Sequence, residues 1–99
     1  MTMQNLTIAF IGGGNMAEAL IAGLRKSGHA SERIIVADPQ QERRDFLASR
    51  YQLVTVEDNR QAAKQADLLV LAMKPQQMKA ALTGLQAHLK QDASVISIA

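Results

Sequence analysis

Gly12-Gly13-Gly14 interrupts the chain directly after the apolar run Ile8-Ala9-Phe10-Ile11. Asn15-Met16-Ala17 then opens a helix-period pattern. Gly12, Gly14 and Ala17 fit G-x-G-x-x-(G/A), the spacing that seats a dinucleotide pyrophosphate on a helix N-terminus. Each position has a separate physical task. Gly12 permits the tight turn, Gly14 lets a phosphate approach the backbone, and Ala17 is small enough for the helix to lie on the strand. The spacing alone is common. Its place between a strand and a capped helix, inside a βαβ unit, favours dinucleotide binding over a glycine-rich turn with no ligand.

Further candidates lie downstream. Asp38 ends the second apolar run, where an acidic residue commonly accepts the adenosine ribose hydroxyls. There it favours NAD(H), because a carboxylate repels the 2′-phosphate of NADP(H). It fits equally well as a cap for the next helix. Arg43 and Arg44 could answer a 2′-phosphate, but they lie a turn or more into that helix and read as a solvated face. Asn59 divides in the same way between helix cap and cofactor contact. Lys74, followed by Pro75, stands where a buried strand surfaces; it is either a charge at a strand end or a group facing cofactor or substrate. Met16, Met73 and Met78 read as core or pocket wall. His29 and His88 read as surface residues rather than acid-base catalysts. No arrangement of His and carboxylates suggests a metal site.

The elements that must position these residues alternate. Strands are expected over 6–11, 33–37, 52–55, 68–73 and 94–99, the third of them an edge. Helices are expected from about Met16 to Ser27, from Asp38-Pro39 to about Arg50, from Asp58-Asn59, and from Pro75. The first helix carries Ala17, Leu20, Ile21 and Leu24 at i, i+3, i+4 and i+7. Asn15 should cap it, with Glu18 completing a capping-box pair, and Gly28 should end it in a left-handed turn. Phe46 and Leu47 should be the core residues of the second helix. Ala62, Ala63 and Ala66 should let the third lie close to the sheet. Met78, Ala81, Leu82, Leu85 and Leu89 should form the buried stripe of the fourth. This alternation implies an α/β fold: a doubly wound, Rossmann-like parallel sheet in the order 3-2-1-4-5, with helices on both faces. The switch point falls between strands 1 and 4, and Gly12 to Asn15, Asp38, Ala72 to Pro75 and Ala99 share its rim.

Composition narrows the rest. The 99 residues are 47% hydrophobic but only 3% aromatic, so one small domain with an aliphatic core is expected. The chain has no cysteine, which excludes disulfides, thiolate metal ligands and a cysteine nucleophile, and suits a reducing compartment. The net charge is +2 with scattered positive residues, so nucleic acid is not an expected partner. No basic n-region precedes a long apolar stretch, and no apolar run approaches the roughly 20 residues that span a bilayer. A cytoplasmic protein without a membrane partner is expected. The chain stops at the end of a fifth strand, so a fragment or an isolated domain is expected.

Four stretches carry a resemblance. They are Ile11-Gly12-Gly13-Gly14-Asn15-Met16-Ala17 leading into Ala19-Leu20-Ile21-Ala22-Gly23-Leu24, then Asp58-Asn59, then Leu71-Ala72-Met73-Lys74-Pro75-Gln76, and finally Val95-Ile96-Ser97-Ile98-Ala99. In this order, over essentially the whole chain, they resemble the N-terminal cofactor domain of pyrroline-5-carboxylate reductase. The resemblance implies reduction of 1-pyrroline-5-carboxylate to L-proline with NADPH or NADH, the last step of proline synthesis. It implies cofactor contacts at Ile11, Gly12, Gly13, Gly14, Asn15, Met16, Asn59, Ala72, Met73, Lys74 and Pro75. Asp38 stands where the family handles the adenosine ribose or its 2′-phosphate. Family members often carry Ser or Asn near there and prefer NADPH, so the Asp is a departure. The family continues into a helical domain that builds a homo-oligomer and most of the substrate pocket. Catalytic residues are then expected outside these 99, with cofactor binding but no turnover by the chain alone. Two other readings share the glycine turn: a reductase of the 6-phosphogluconate or β-hydroxyacid dehydrogenase type, and a nucleotide-sensing regulatory domain. The first is less expected to share the Lys74-Pro75-Gln76 ending; the second explains a small chain without catalytic residues but not Asn15-Met16-Ala17 together with the Lys74-Pro75 ending.

Overall fold

The computed structural model describes residues 5–98. Strands β1 (Ile8–Ile11), β2 (Ile34–Ala37), β3 (Val54–Val56), β4 (Leu68–Ala72) and β5 (Ser94–Ile98) alternate with helices α1 (Asn15–Lys26), α2 (Gln41–Tyr51), α3 (Asn59–Gln65) and α4 (Pro75–Leu85). The five strands form one sheet in the order β3-β2-β1-β4-β5, parallel throughout. This is the expected topology. Ala99, placed on the rim by sequence, lies outside the described residues.

The sheet is covered on both faces, and the period-two alternation of its strands shows which helix covers which face. Ala9, Ile11, Ile35, Ala37, Leu69 and Leu71 face Ala62, Ala63 and Ala66 and the buried Leu85 of α4. Ile8, Phe10, Ile34, Val36 and Val70 face Ala17 and Ile21 of α1 and Leu47 of α2. The three alanines are fully buried, as their small size led one to expect.

Several local expectations change. β1 begins at Ile8, because Thr7 is taken up by Asp67. The Thr7 amide donates to Asp67 Oδ2 at 2.9 Å, and the Thr7 carbonyl accepts from the Asp67 amide at 2.8 Å. β3 begins at Val54, because Gln52 is in the left-handed region (φ 60°) and ends α2. Leu20 and Phe46 are exposed rather than core residues. Each sits one residue, or about 100° around the helix, from the side chain that does face the sheet, Ile21 or Leu47. His29 is buried, not a surface residue: its Nε2 meets the Leu6 carbonyl at 2.9 Å. His88 is half-buried. Gly28 ends α1 as expected, with φ 97°. Its amide donates to Arg25 O, and the His29 amide donates to Leu24 O, which is a Schellman ending. α4 stops at Leu85, and Leu89 lies beyond a following 3-10 turn. β5, a second edge strand, leaves Val95 and Ile96 exposed.

Asp67 anchors the bottom of the sheet, the end opposite the glycine turn. The Thr7 amide and then the Lys90 ammonium, 3.1 Å away, hold its carboxyl below the ordinary value. A carboxyl depressed in the fold stabilises it above the unfolded pKa, and that contribution is lost as pH falls through the folded pKa. Asp67→Asn should therefore flatten the fall of melting temperature below about pH 4, the ordinary range of the group. Thermal unfolding followed by circular dichroism over a pH series checks this; an unchanged acid limb would count against it.

Candidate functional site

The chain leaves β1 through a turn that glycine alone can make. Gly12 has φ 99°, and a Cβ there would lie 2.4 Å from the Ala72 carbonyl oxygen. Its amide donates to Ala37 O at 2.8 Å, extending the β1–β2 ladder by one residue. Gly14 is exposed, and a Cβ there would meet nothing within 4 Å. Gly12 thus fits a cramped turn, as its spacing predicts, and the backbone of Gly14 is unobstructed.

Gly13 carries the information that the spacing does not. A Cβ on it would stand 2.8 Å from Leu47 Cδ1 and 3.1 Å from Val36 Cγ1. Its amide donates to Asp38 Oδ2 at 3.0 Å, and its carbonyl accepts from Arg43 Nε. The same Arg43 donates through Nη2 to Glu18 Oε1 at 2.9 Å, and Tyr51 Oη donates to Glu18 Oε2 at 2.7 Å. The Tyr51 hydroxyl and Arg43 hold the Glu18 carboxyl below its ordinary value. Arg43 is therefore no solvated helix face. Its involvement was legible in part, because Arg43 precedes the buried Leu47 by four residues and so shares its face of α2.

α1 starts one residue earlier than expected. Gly14, extended at φ −76° and ψ −168°, occupies the N-cap position, and no side chain caps the helix. Asn15 is the first helical residue, not the cap, and Glu18 is turned to α2 instead of completing a capping box. The first intrahelical bond runs from the Glu18 amide to Gly14 O at 2.9 Å. The amides of Asn15, Met16 and Ala17 thus have no partner within the helix, at the positive end of its dipole.

Asp38 does not cap α2 either; Gln40 holds that position. The Asp38 carboxylate spans two backbone amides, Gly13 at Oδ2 and Gln40 at Oδ1, the latter 2.9 Å away. Its carbonyl accepts from Arg44 Nη1 at 2.8 Å. Asp58 caps α3 by accepting from the Arg60 amide, which leaves Asn59 half-buried at the rim. Lys74 is exposed at the N-cap of α4, and Pro75 takes the first helical position, where no amide is needed.

Two hollows flank the turn. One, of about 360 Å³, is walled by Ile11, Gly12, Ala37 and Pro39 on one side and by Asn59, Met73 and α4 on the other. The second, of about 310 Å³, is walled by Gly14, Asn15, Met16 and Ala17 and by Ala72, Met73, Lys74, Pro75 and Ile98. Met73 lines both. A third hollow of about 400 Å³ continues from Pro39 and Asn59 along α3 and α4. The twelve candidate residues thus gather at one edge of the sheet: ten line the two flanking hollows, and Gly13 and Asp38 are joined directly beneath the turn. Among the described residues, no group of three or more His, Cys, Asp or Glu is placed to hold a metal ion.

The turn thus joins helix amides that have no partner within the helix to a hollow on either side. A family described as NADP oxidoreductase, coenzyme F420-dependent, matches residues 7–99. The chain belongs to this family. Within it, the similarity is to pyrroline-5-carboxylate reductases, as the resemblance above implied. That of Haemophilus influenzae is 47% identical over 97 residues, 98% of this chain and 35% of its own length. That of Pseudomonas aeruginosa is 43% identical, with 98% and 36% covered. The solved pyrroline-5-carboxylate reductase of Coxiella burnetii superimposes with a TM-score of 0.88 at 39% identity, over 94% of this chain and 35% of that one. The chain spans about a third of the length of these relatives.

The glycines of this turn should separate by experiment. Gly13→Ala should cost about 1–3 kcal/mol through overpacking against Leu47 and Val36. Gly14→Ala should leave stability within about 0.5 kcal/mol, as for an unencumbered surface position. Urea unfolding of the two variants checks the contrast, and equal losses would refute this account of the turn.

Proposed function

We propose that this chain is the cofactor-binding part of a pyrroline-5-carboxylate reductase, seating NADPH or NADH across the Gly12–Gly14 turn. The observation that carries the reading is the turn itself: open amides at the start of α1, an unobstructed Gly14, and a hollow on either side with Met73 common to both. Similarity to pyrroline-5-carboxylate reductases over 98% of the chain supplies the reaction class.

In this reading the amides of Gly14, Asn15 and Met16 receive the pyrophosphate, assisted by the α1 dipole. Asn59 serves the adenosine half from the first hollow, and Asp38 serves it from the end of β2, between Ala37 and Pro39 of the hollow's wall. Ala72, Met73, Lys74 and Pro75 wall the nicotinamide half, with Met16 supplying apolar cover. When bound, a reduced nicotinamide would supply a hydride to the imine carbon of 1-pyrroline-5-carboxylate, and with a proton taken up on the ring nitrogen the product would be L-proline. The chain's own part is to fix the cofactor in position, since transfer needs the two carbons held in reactive geometry. In the whole protein, a helical domain outside these residues closes the substrate pocket and builds a homo-oligomer. A cytoplasmic location, with neither nucleic acid nor membrane as partner, belongs to the same reading. No helix among the described residues is long and apolar enough to cross a membrane.

Gly14→Val places a side chain where a phosphate would approach. It should lower dinucleotide affinity by at least about 100-fold, the scale of losing several charge-assisted hydrogen bonds, while the melting temperature stays within a few degrees. Calorimetric titration with NADH and NADPH reads the first effect and a melt reads the second; undiminished affinity would refute the placement. The 99-residue chain, given cofactor and 1-pyrroline-5-carboxylate, should form no proline, and measurable turnover would show that it holds a complete site.

A further inference from the structure

We infer that Arg43 is a positioning residue for the dinucleotide: by holding the Gly13 carbonyl it selects, of two orientations open to the Gly13–Gly14 peptide, the one that offers the Gly14 amide to the pyrophosphate. The inference rests on the dinucleotide reading above and assigns part of its affinity to a side chain braced against the turn.

A peptide between two glycines has a freedom that other pairs lack. It can turn over as a unit, by opposite rotations of ψ in the first residue and φ in the second, while the chain on either side stays in place. Here that motion carries Gly14 from φ −76° into the positive region, which glycine enters about as readily as the negative one. The space around Gly14 is open, since even a Cβ there would meet nothing within 4 Å. In one orientation the Gly13 carbonyl points to Arg43 and the Gly14 amide points away from it. In the other the two exchange, and a carbonyl oxygen meets the phosphates in place of an N–H donor. The preceding peptide has no such choice, because the Gly13 amide is fixed on Asp38 Oδ2 at 3.0 Å.

Arg43 decides between the two orientations because it is itself held. Its Nε donates to Gly13 O while Nη2 donates to Glu18 Oε1 at 2.9 Å, two directions that one planar guanidinium serves at once. Tyr51 Oη fixes Glu18 Oε2 at 2.7 Å, and Arg50 lies 3.9 Å from the same oxygen. The Phe46 ring centre lies 5.0 Å from the Arg43 guanidinium, which gives this exposed ring a task. A charged donor holds a carbonyl more strongly than a neutral one. The binding orientation therefore dominates before any ligand arrives, and no affinity is lost to turning the peptide.

Lysine at position 43 keeps the charge and loses the fork. Its single ammonium follows the stronger partner, the Glu18 carboxylate, and releases the carbonyl. Arg43→Lys should weaken NADH and NADPH by the same factor, on the order of 10-fold, in fluorescence titrations of the 99-residue chain. A contact from Arg43 to a 2′-phosphate would weaken NADPH alone. In the ligand-free variant the Gly14 amide resonance should also move in nitrogen–proton correlation spectra. A brace that served the fold alone would lower the melting temperature and move neither that resonance nor the affinity measured well below the melt. If Arg43→Lys does not fold, Glu18→Gln removes the charge that anchors Arg43 and should give the same equal loss, smaller in size. Undiminished affinity, an unmoved Gly14 resonance, or a loss confined to NADPH would each overturn the inference and leave the dinucleotide site standing. Failure of the unmodified chain to bind either cofactor would overturn the dinucleotide reading and this inference with it.

Discussion

Both polar backbone atoms of Gly13 are held by side chains from another part of the chain, 25 and 30 residues away. Asp38 takes the amide and Arg43 takes the carbonyl. In a trans peptide the carbonyl of one residue and the amide of the next point in opposite directions. Turning the Gly13 carbonyl toward Arg43 therefore turns the Gly14 amide away from it, and the Asp38 bond orients the preceding peptide in the same way. The turn becomes a fixed object before any ligand reaches it. Arg43 passes the constraint on to Glu18, so the start of α1 is tied to the face of α2.

That brace works because the sheet beneath it is in register. Ile11 pairs with both Ala37 and Leu71, so the carboxyl ends of the three central strands finish side by side. Loops that leave such an edge are brought together whatever their distance in sequence. Gly12, Asp38 and Ala72 meet for that reason, and the near contact of Gly12 with the Ala72 carbonyl measures how closely the strands sit. The small alanines of α3 and the buried Ala17 of α1 serve the same end, since a larger residue at any of them would lift a helix away from its strand.

What was legible in the sequence was what depends on period and spacing. Strand order followed from alternation, and the tight turn at Gly12 and the unobstructed backbone at Gly14 followed from the turn that links a strand to a helix. What was not legible depends on which of two adjacent residues faces inward, or on a partner far along the chain. Leu20 and Phe46 are apolar neighbours of buried side chains, and composition does not separate them from Ile21 and Leu47. Asn15 and Glu18 have the types of a capping box, but Glu18 has stronger partners in Arg43 and Tyr51, and Gly14 already adopts the cap conformation. His29 follows a glycine stop that usually marks the surface, yet the Schellman turn directs it back beneath the sheet to Leu6. At Asp38, two roles that sequence left open become one geometry in which the carboxylate serves the glycine turn.

The central strand of this sheet is also the first in sequence. Ile8 takes one neighbour at Ile34 and the other at Leu68, so β1 is not enclosed until the chain has returned to it from 60 residues away. Closing that loop costs conformational entropy before the parallel pairing returns anything, which places such sheets among the slower folders of their size. The rim is completed by the same event, because the Gly12 turn rests on the carbonyl at the end of β4. Assembly of the fold and of the rim is thereby one cooperative process: an intermediate that lacks β4 also lacks half of the groove, and the proposed dinucleotide would bind only the finished sheet.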